Sequence, residues 1–241
     1  MSWFQTFLYL LIGTFPCILW LLFYLRQDVH PESNRKVIEI YFWGILSVPI
    51  AQILEEFLSK FFPSQEKIDA SIFLSLVFYI FVVGIVEESL KYFIVKFRVI
   101  DTQHFDEPID AMLYLIISAL GFATLENIRV VFLFPLLKQA FIISFFRLLT
   151  AIFLHTLSAG ITGFFLAFSL SQKKEKRKYL ILLGLFLASF FHGLYNFSIA
   201  KIQTTQNLFI FLSPIAIIFL MGILVYLLLI KVKKLPRACK I

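Results

Sequence analysis

Seven stretches of this chain are each long and apolar enough to cross a lipid bilayer, at residues 3–25, 37–62, 71–95, 112–137, 141–170, 179–200 and 208–230. About 20 apolar residues span the hydrocarbon core as a helix. Inside lipid every backbone N–H and C=O must find a partner within the protein, which excludes open strands. A membrane β-barrel would show strict apolar–polar alternation, and these runs lack it. The expected fold is all-α, a polytopic bundle of about seven transmembrane helices, or eight if the long fifth run divides. Hydrophobic residues make up 60% of the 241, against about 45–50% in a soluble domain. Residues 1–241 therefore read as one integral-membrane domain.

The charge pattern orients the bundle. Sixteen of the 22 Lys and Arg belong to the loops after runs one, three and five and to the C-terminal tail, as three, three, five and five, with Lys91 at the end of run three counted with its loop. The other side holds Lys60, Lys67, Lys138 and Lys201, with Arg129 as a further candidate. The positive-inside rule then puts the C-terminus in the cytoplasm and the N-terminus outside. Basic clusters at 173–178 and 231–240 read as membrane anchoring, so the lipid bilayer is an expected partner and nucleic acid is not. The first run has no basic leader and no small-residue cleavage site, and is expected to be a retained helix. Cys17 reads as a packed apolar residue and Cys239 as part of the basic tail; two cysteines give no disulfide framework.

Ionisable residues interrupt the apolar runs at depth. A charge there costs about 2.5–3.5 kcal/mol on insertion scales. Glu87 and Glu88 lie in the third run, Glu126 in the fourth, His155 in the fifth and His192 in the sixth. In EESLK, Glu87 and Lys91 are four apart and share a helix face, while Glu88 points about 100° away. The two carboxylates therefore have different partners, one facing a cavity and the other a neighbouring helix. A surface ion pair with a snorkelling Lys91 would explain one of them, hardly both. Glu55-Glu56 near Lys60 has similar spacing but reads as a solvated helix end. For Glu126 the structural alternative is a pair with Arg129 or Arg147. HGLYN sets Asn196 four residues after His192, on the same face. If these faces converge, they form a Glu/His cluster suited to activating a water or holding a metal ion. HExxH and GxSxG are both absent. Intramembrane Glu and His chains also build proton relays, so a proton-coupled carrier is the alternative; no internal repeat supports it.

EESLK, FDEPIDAMLY, GFATLEN, RLLTAIFLH and HGLYN follow one another in this order and spacing. Together they resemble the PrsW family of intramembrane proteases, similar in its core to the CAAX prenyl protease and Abi (CPBP) superfamily. The likeness covers about 84–196, within a protease-like core of about 71–200, and is weak over the first two runs and the last. It departs from the family at Ala111 and Ala119, where small residues are kept. The resemblance implies site-1-type cleavage of a single-span membrane protein such as an anti-sigma factor, in a bacterial cytoplasmic (inner) membrane. It implies a catalytic set of Glu87, Glu88, Glu126, His155, His192 and Asn196. Glu87 would take the proton from water, and Asn196 with His192 would stabilise the oxyanion. Glu126, His155 and His192 would orient the water, either through Zn²⁺ or without metal.

Overall fold

The computed structural model describes residues 2–28, 30–202 and 207–235. Arg237, Cys239 and Lys240 lie outside the described residues. Among the described residues all regular structure is helical, and seven helices are long and apolar enough to cross a membrane. They comprise α1 (Trp3–Leu25), α2 (Asn34–Ser59), a composite third span, α6 (Pro108–Val131), a broken fifth span, α9 (Lys174–Ile202) and α10 (Leu208–Val232). A short α3 (Gln65–Ala70) precedes the third span. That span joins α4 (Ile72–Phe78), a π-helical segment at Tyr79–Gly84, and α5 (Ile85–Arg98). The fifth is α7 (Leu137–Leu149) and α8 (Ala151–Leu170), which part at Thr150, where φ is −123° and ψ −97°. The long fifth run thus divides, yet its halves count together as one span and the total stays at seven.

Helix α6 is the axis of the bundle. Its apolar window is 89% buried, whereas no other span exceeds 44%. Every residue from Pro108 to Thr124 is buried, so a polar group on α6 meets protein rather than lipid. Local chemistry fixes where α6 begins. Pro108 occupies the first turn, and the Asp110 carboxylate accepts from the backbone N–H of Asp106 (3.0 Å) and Glu107 (2.7 Å). These acidic residues satisfy donors that a helix start leaves open.

Glycines set how closely the helices approach. A Cβ on Gly121 of α6 would meet the Tyr41 carbonyl oxygen, and one on Gly44 of α2 the Ser118 carbonyl oxygen. Across the bundle, a Cβ on Gly193 of α9 would lie 2.5 Å from the Ile80 Cα, and one on Gly84 2.5 Å from the Ser189 carbonyl oxygen. Small residues permit this backbone contact, the main packing device where lipid removes the hydrophobic drive between helices. Many of the phenylalanines, among them Phe4, Phe57, Phe73 and Phe141, lie on the exposed outer surface.

Gly121→Ala should destabilise the fold by about 1–3 kcal/mol, as overpacking does, and so lower the thermal unfolding temperature in detergent. Gly222→Ala should not, since nothing lies within 4 Å of a Cβ there. Glu32, in the loop after α1, accepts from the Tyr114 hydroxyl at 2.5 Å. Burial raises its carboxyl from 4.5 to about 7, against the opposing hydrogen bond. The folded chain therefore holds this proton more tightly than the unfolded chain. Its contribution is intact below pH 4.5 and is lost as pH rises through 7. Relative to Glu32→Gln, the parent's stability should fall between those values and level off above them.

Candidate active site

Four spans deliver the polar cluster. Helix α5 carries Glu87, Glu88 and Lys91, α6 carries Glu126, α8 His155, and α9 His192 and Asn196. The π segment ends at Gly84, just before the two glutamates, and re-aims the helix face that follows. The break at Thr150 restarts the fifth span within two turns of His155.

Each histidine turns one ring nitrogen to a supporting carboxylate and the other toward Glu87. His155 Nε2 lies 2.7 Å from Glu126 Oε2, and its Nδ1 lies 3.8 Å from Glu87 Oε2. His192 Nδ1 lies 2.7 Å from Glu88 Oε1, and its Nε2 lies 3.6 Å from Glu87 Oε2. The two rings stand edge to face, with centroids 4.9 Å apart. Ionised carboxylates only accept, so His155 donates through Nε2–H and His192 through Nδ1–H. The remaining lone pairs, on His155 Nδ1 and His192 Nε2, are aimed at the region beside Glu87, where His155 Nδ1 accepts from the Lys91 ammonium at 2.9 Å.

This donor set fits a divalent metal. One ligand atom each from Glu87, His155 and His192 can be chosen so that all lie within 4.8 Å of one another. Two imidazoles and a carboxylate are a set found in catalytic zinc centres. A carboxylate on the far nitrogen of each ligand histidine fixes its tautomer and strengthens its donation. Glu126 and Glu88 occupy those two supporting positions.

Glu87, Glu126, His155, His192 and Asn196 all line one cavity of about 470 Å³. Glu88 stands behind it, on His192 and Lys91, so the paired glutamates do divide between cavity and neighbouring helix. Within the expected metal set, Glu126 lies on the side of His155 away from Glu87, and Glu87 is the carboxylate that both histidines share. Neither arginine is within ion-pair distance of Glu126 among the described residues; its partner is His155. Arg147 instead donates from Nε to Asn127 Oδ1 at 2.9 Å, and Asn127 donates to the Gly13 carbonyl (2.8 Å) and to Ser144 (3.0 Å). Arg129 and Arg147 also line the cavity. Lys91 does not snorkel; it is wholly buried. Glu56 is exposed, but Glu55 is half-buried, with Oε1 lacking a hydrogen-bond partner. The signal for Arg147 in the sequence is its place as a lone basic residue deep in an apolar run.

Residues 32–229 match the profile described as PrsW family intramembrane metalloprotease. The chain belongs to the PrsW family. It is a membrane protease, and the carrier alternative is set aside. The match extends beyond 84–196 to take in the second span and most of the last. Protease PrsW of Bacillus subtilis (strain 168) is 30% identical over 181 residues, 75% of this chain and 77% of the relative. Protease PrsW of Geobacillus kaustophilus (strain HTA426) is 32% identical over 175 residues, 72% of this chain and 71% of the relative. The Clostridioides difficile (strain 630) Protease PrsW is 29% identical over 168 residues, 69% of this chain and 68% of the relative. No solved structure matches the chain.

Glu88→Gln keeps the shape of the site and weakens the support of His192. Its divalent-ion affinity should fall about 10–100-fold, as loss of an outer-shell carboxylate typically does. Titration of purified protein with Co²⁺, followed by absorption, measures it.

Proposed function

We propose that the chain is a site-1-type endopeptidase that cuts a single-span membrane protein, anti-sigma-factor-like, in a bacterial cytoplasmic membrane. Its N-terminus is outside and its C-terminus inside. Zn²⁺ is the proposed cofactor, held by Glu87, His155 and His192. The observation that carries this reading is the meeting of residues from four spans around one cavity, with both histidines turned on Glu87. A membrane-borne substrate is supported by a second feature. Phe146 and Thr150 line both this cavity and an apolar groove of about 670 Å³ walled by Trp20, Phe153, Ile218 and Tyr226. A peptide arriving from the bilayer meets apolar walls first and the polar cluster next.

A divalent ion at these donors supplies Lewis acidity toward the scissile carbonyl and toward water. The side chains do the rest. Glu88 and Glu126 hold the histidine protons away from the donor atoms. Glu126 is the more open carboxylate, its side chain 27% exposed against 6% for Glu87. With Glu87 taken as a ligand, the Glu126 oxygen not held by His155 replaces it as the acceptor of the attacking water's proton, a role worth about 10²–10⁴ in rate. Asn196, half-buried on the cavity wall, donates to the developing oxyanion, worth about 10²–10³ in kcat. Arg147, held by Asn127, adds positive charge to the same wall.

Reconstitution with single-span membrane substrates tests the site. Glu87→Gln, His155→Ala and His192→Ala should each abolish cleavage, and Glu126→Gln should lower kcat about 10²–10⁴-fold. Parent-like cleavage by Glu87→Gln and His192→Ala would refute the site. Elemental analysis should find stoichiometric zinc that is lost in His155→Ala; fully active protein without such metal would refute the zinc assignment.

A further inference from the structure

Lys91 occupies the ground that a metal ion would need. Its ammonium lies 2.7 Å from Glu88 Oε1, 2.9 Å from His155 Nδ1 and 3.4 Å from Glu87 Oε2, and 4.6 Å from the centre of the Phe122 ring. An ammonium has three N–H donors, and the three hydrogen bonds to Glu88, His155 and Glu87 take one each. Two of the acceptors, His155 Nδ1 and Glu87 Oε2, are atoms that face the metal position. The third, Glu88, lies outside the metal-facing set and on the far side of His192.

We propose that Lys91 is a built-in competitor for the divalent ion, closing the site in metal-free protein and withdrawing onto Glu88 when the ion binds. The inference rests on the reading of Glu87, His155 and His192 as metal ligands. A lone pair on His155 Nδ1 cannot serve the ammonium and a metal ion at once, so binding requires that this hydrogen bond break. Electrostatics adds to the exchange. Two carboxylates, Glu87 and Glu88, hold the Lys91 ammonium directly, and a third, Glu126, lies just beyond on the other side of His155. A cation fixed within the cluster lowers its attraction for a second cation, strongly so where lipid and protein exclude water. Removal of the ammonium would leave the donors free and the cluster more negative. The tethered charge thus keeps buried acids paired without metal, and makes metal occupancy responsive to supply rather than permanent.

The test is zinc affinity, measured by chelator competition on purified metal-free protein. Lys91→Met keeps the length and removes the charge; it should bind zinc at least about tenfold more tightly than the parent. Lys91→Arg keeps the charge and should bind no more tightly than the parent. A purely structural lysine predicts the opposite sign, since its loss would loosen the ligands and weaken binding. Equal or weaker binding by Lys91→Met overturns the proposal while the metal site stands. Absence of zinc binding in both parent and variant overturns the metal site and the proposal together. If Lys91→Met does not fold, the zinc-bound structure of the parent decides. Nζ should then lie beyond about 3.5 Å from His155 Nδ1, outside hydrogen-bond range, and still on Glu88. An ammonium that stays on His155 with zinc bound to Glu87 and His192 overturns the proposal.

Discussion

Charge compensation inside a water-poor core governs this molecule. An ionised side chain at membrane depth is tolerated only when other protein groups answer it. Lys91 pairs within its own helix with Glu88 and Glu87, but one ammonium does not balance both carboxylates, and Glu126 has no ion-pair partner on α6 among the described residues. The two histidines close the cluster at 2.7–3.8 Å, and they do so only if α5, α6, α8 and α9 converge. The pairing requirement thus acts as a folding constraint. It selects the helix arrangement that brings the reactive groups together.

Glycines make that convergence possible, and they flank the clustered residues. Gly84 comes shortly before Glu87, Gly121 one helical turn before Glu126, and Gly193 directly after His192. At each, helix backbones approach so closely that a Cβ would collide with a neighbouring helix. Contact at the backbone leaves little freedom to the side chain beside it. The short motifs VGIVEE, GFATLEN and HGLYN are therefore each a packing device joined to a chemical group. The close contact positions the group, and the group would be unsupported at depth without it.

Much of the fold was legible because lipid imposes a length and forbids unpaired backbone. The first run, 3–25, coincides with α1, and the last begins where α10 begins. The 100° offset within EE correctly divided Glu87 from Glu88, since helical geometry alone requires it. Other features have no one-residue signature. The π segment at Tyr79–Gly84 reads as ordinary apolar sequence, and nothing in RLLTAIFLH marks Thr150 as a break. A snorkelling Lys91 was the structural alternative that would have explained one glutamate of the pair. The structure buries it instead, because α6, α8 and α9 close over that face of α5. Pair partners were the least legible. Arg147 was a natural partner for Glu126 by charge, yet it serves Asn127, and an imidazole takes the carboxylate.

The central claim is that His155, His192 and Glu87 are one metal centre. X-ray absorption at the zinc edge of the purified, zinc-loaded protein reports the ion's immediate neighbours. The account predicts two imidazole nitrogens at about 2.0–2.1 Å with oxygen completing the shell, and one imidazole fewer in His192→Ala. A spectrum with no imidazole scattering, or one unchanged by His192→Ala, would contradict it.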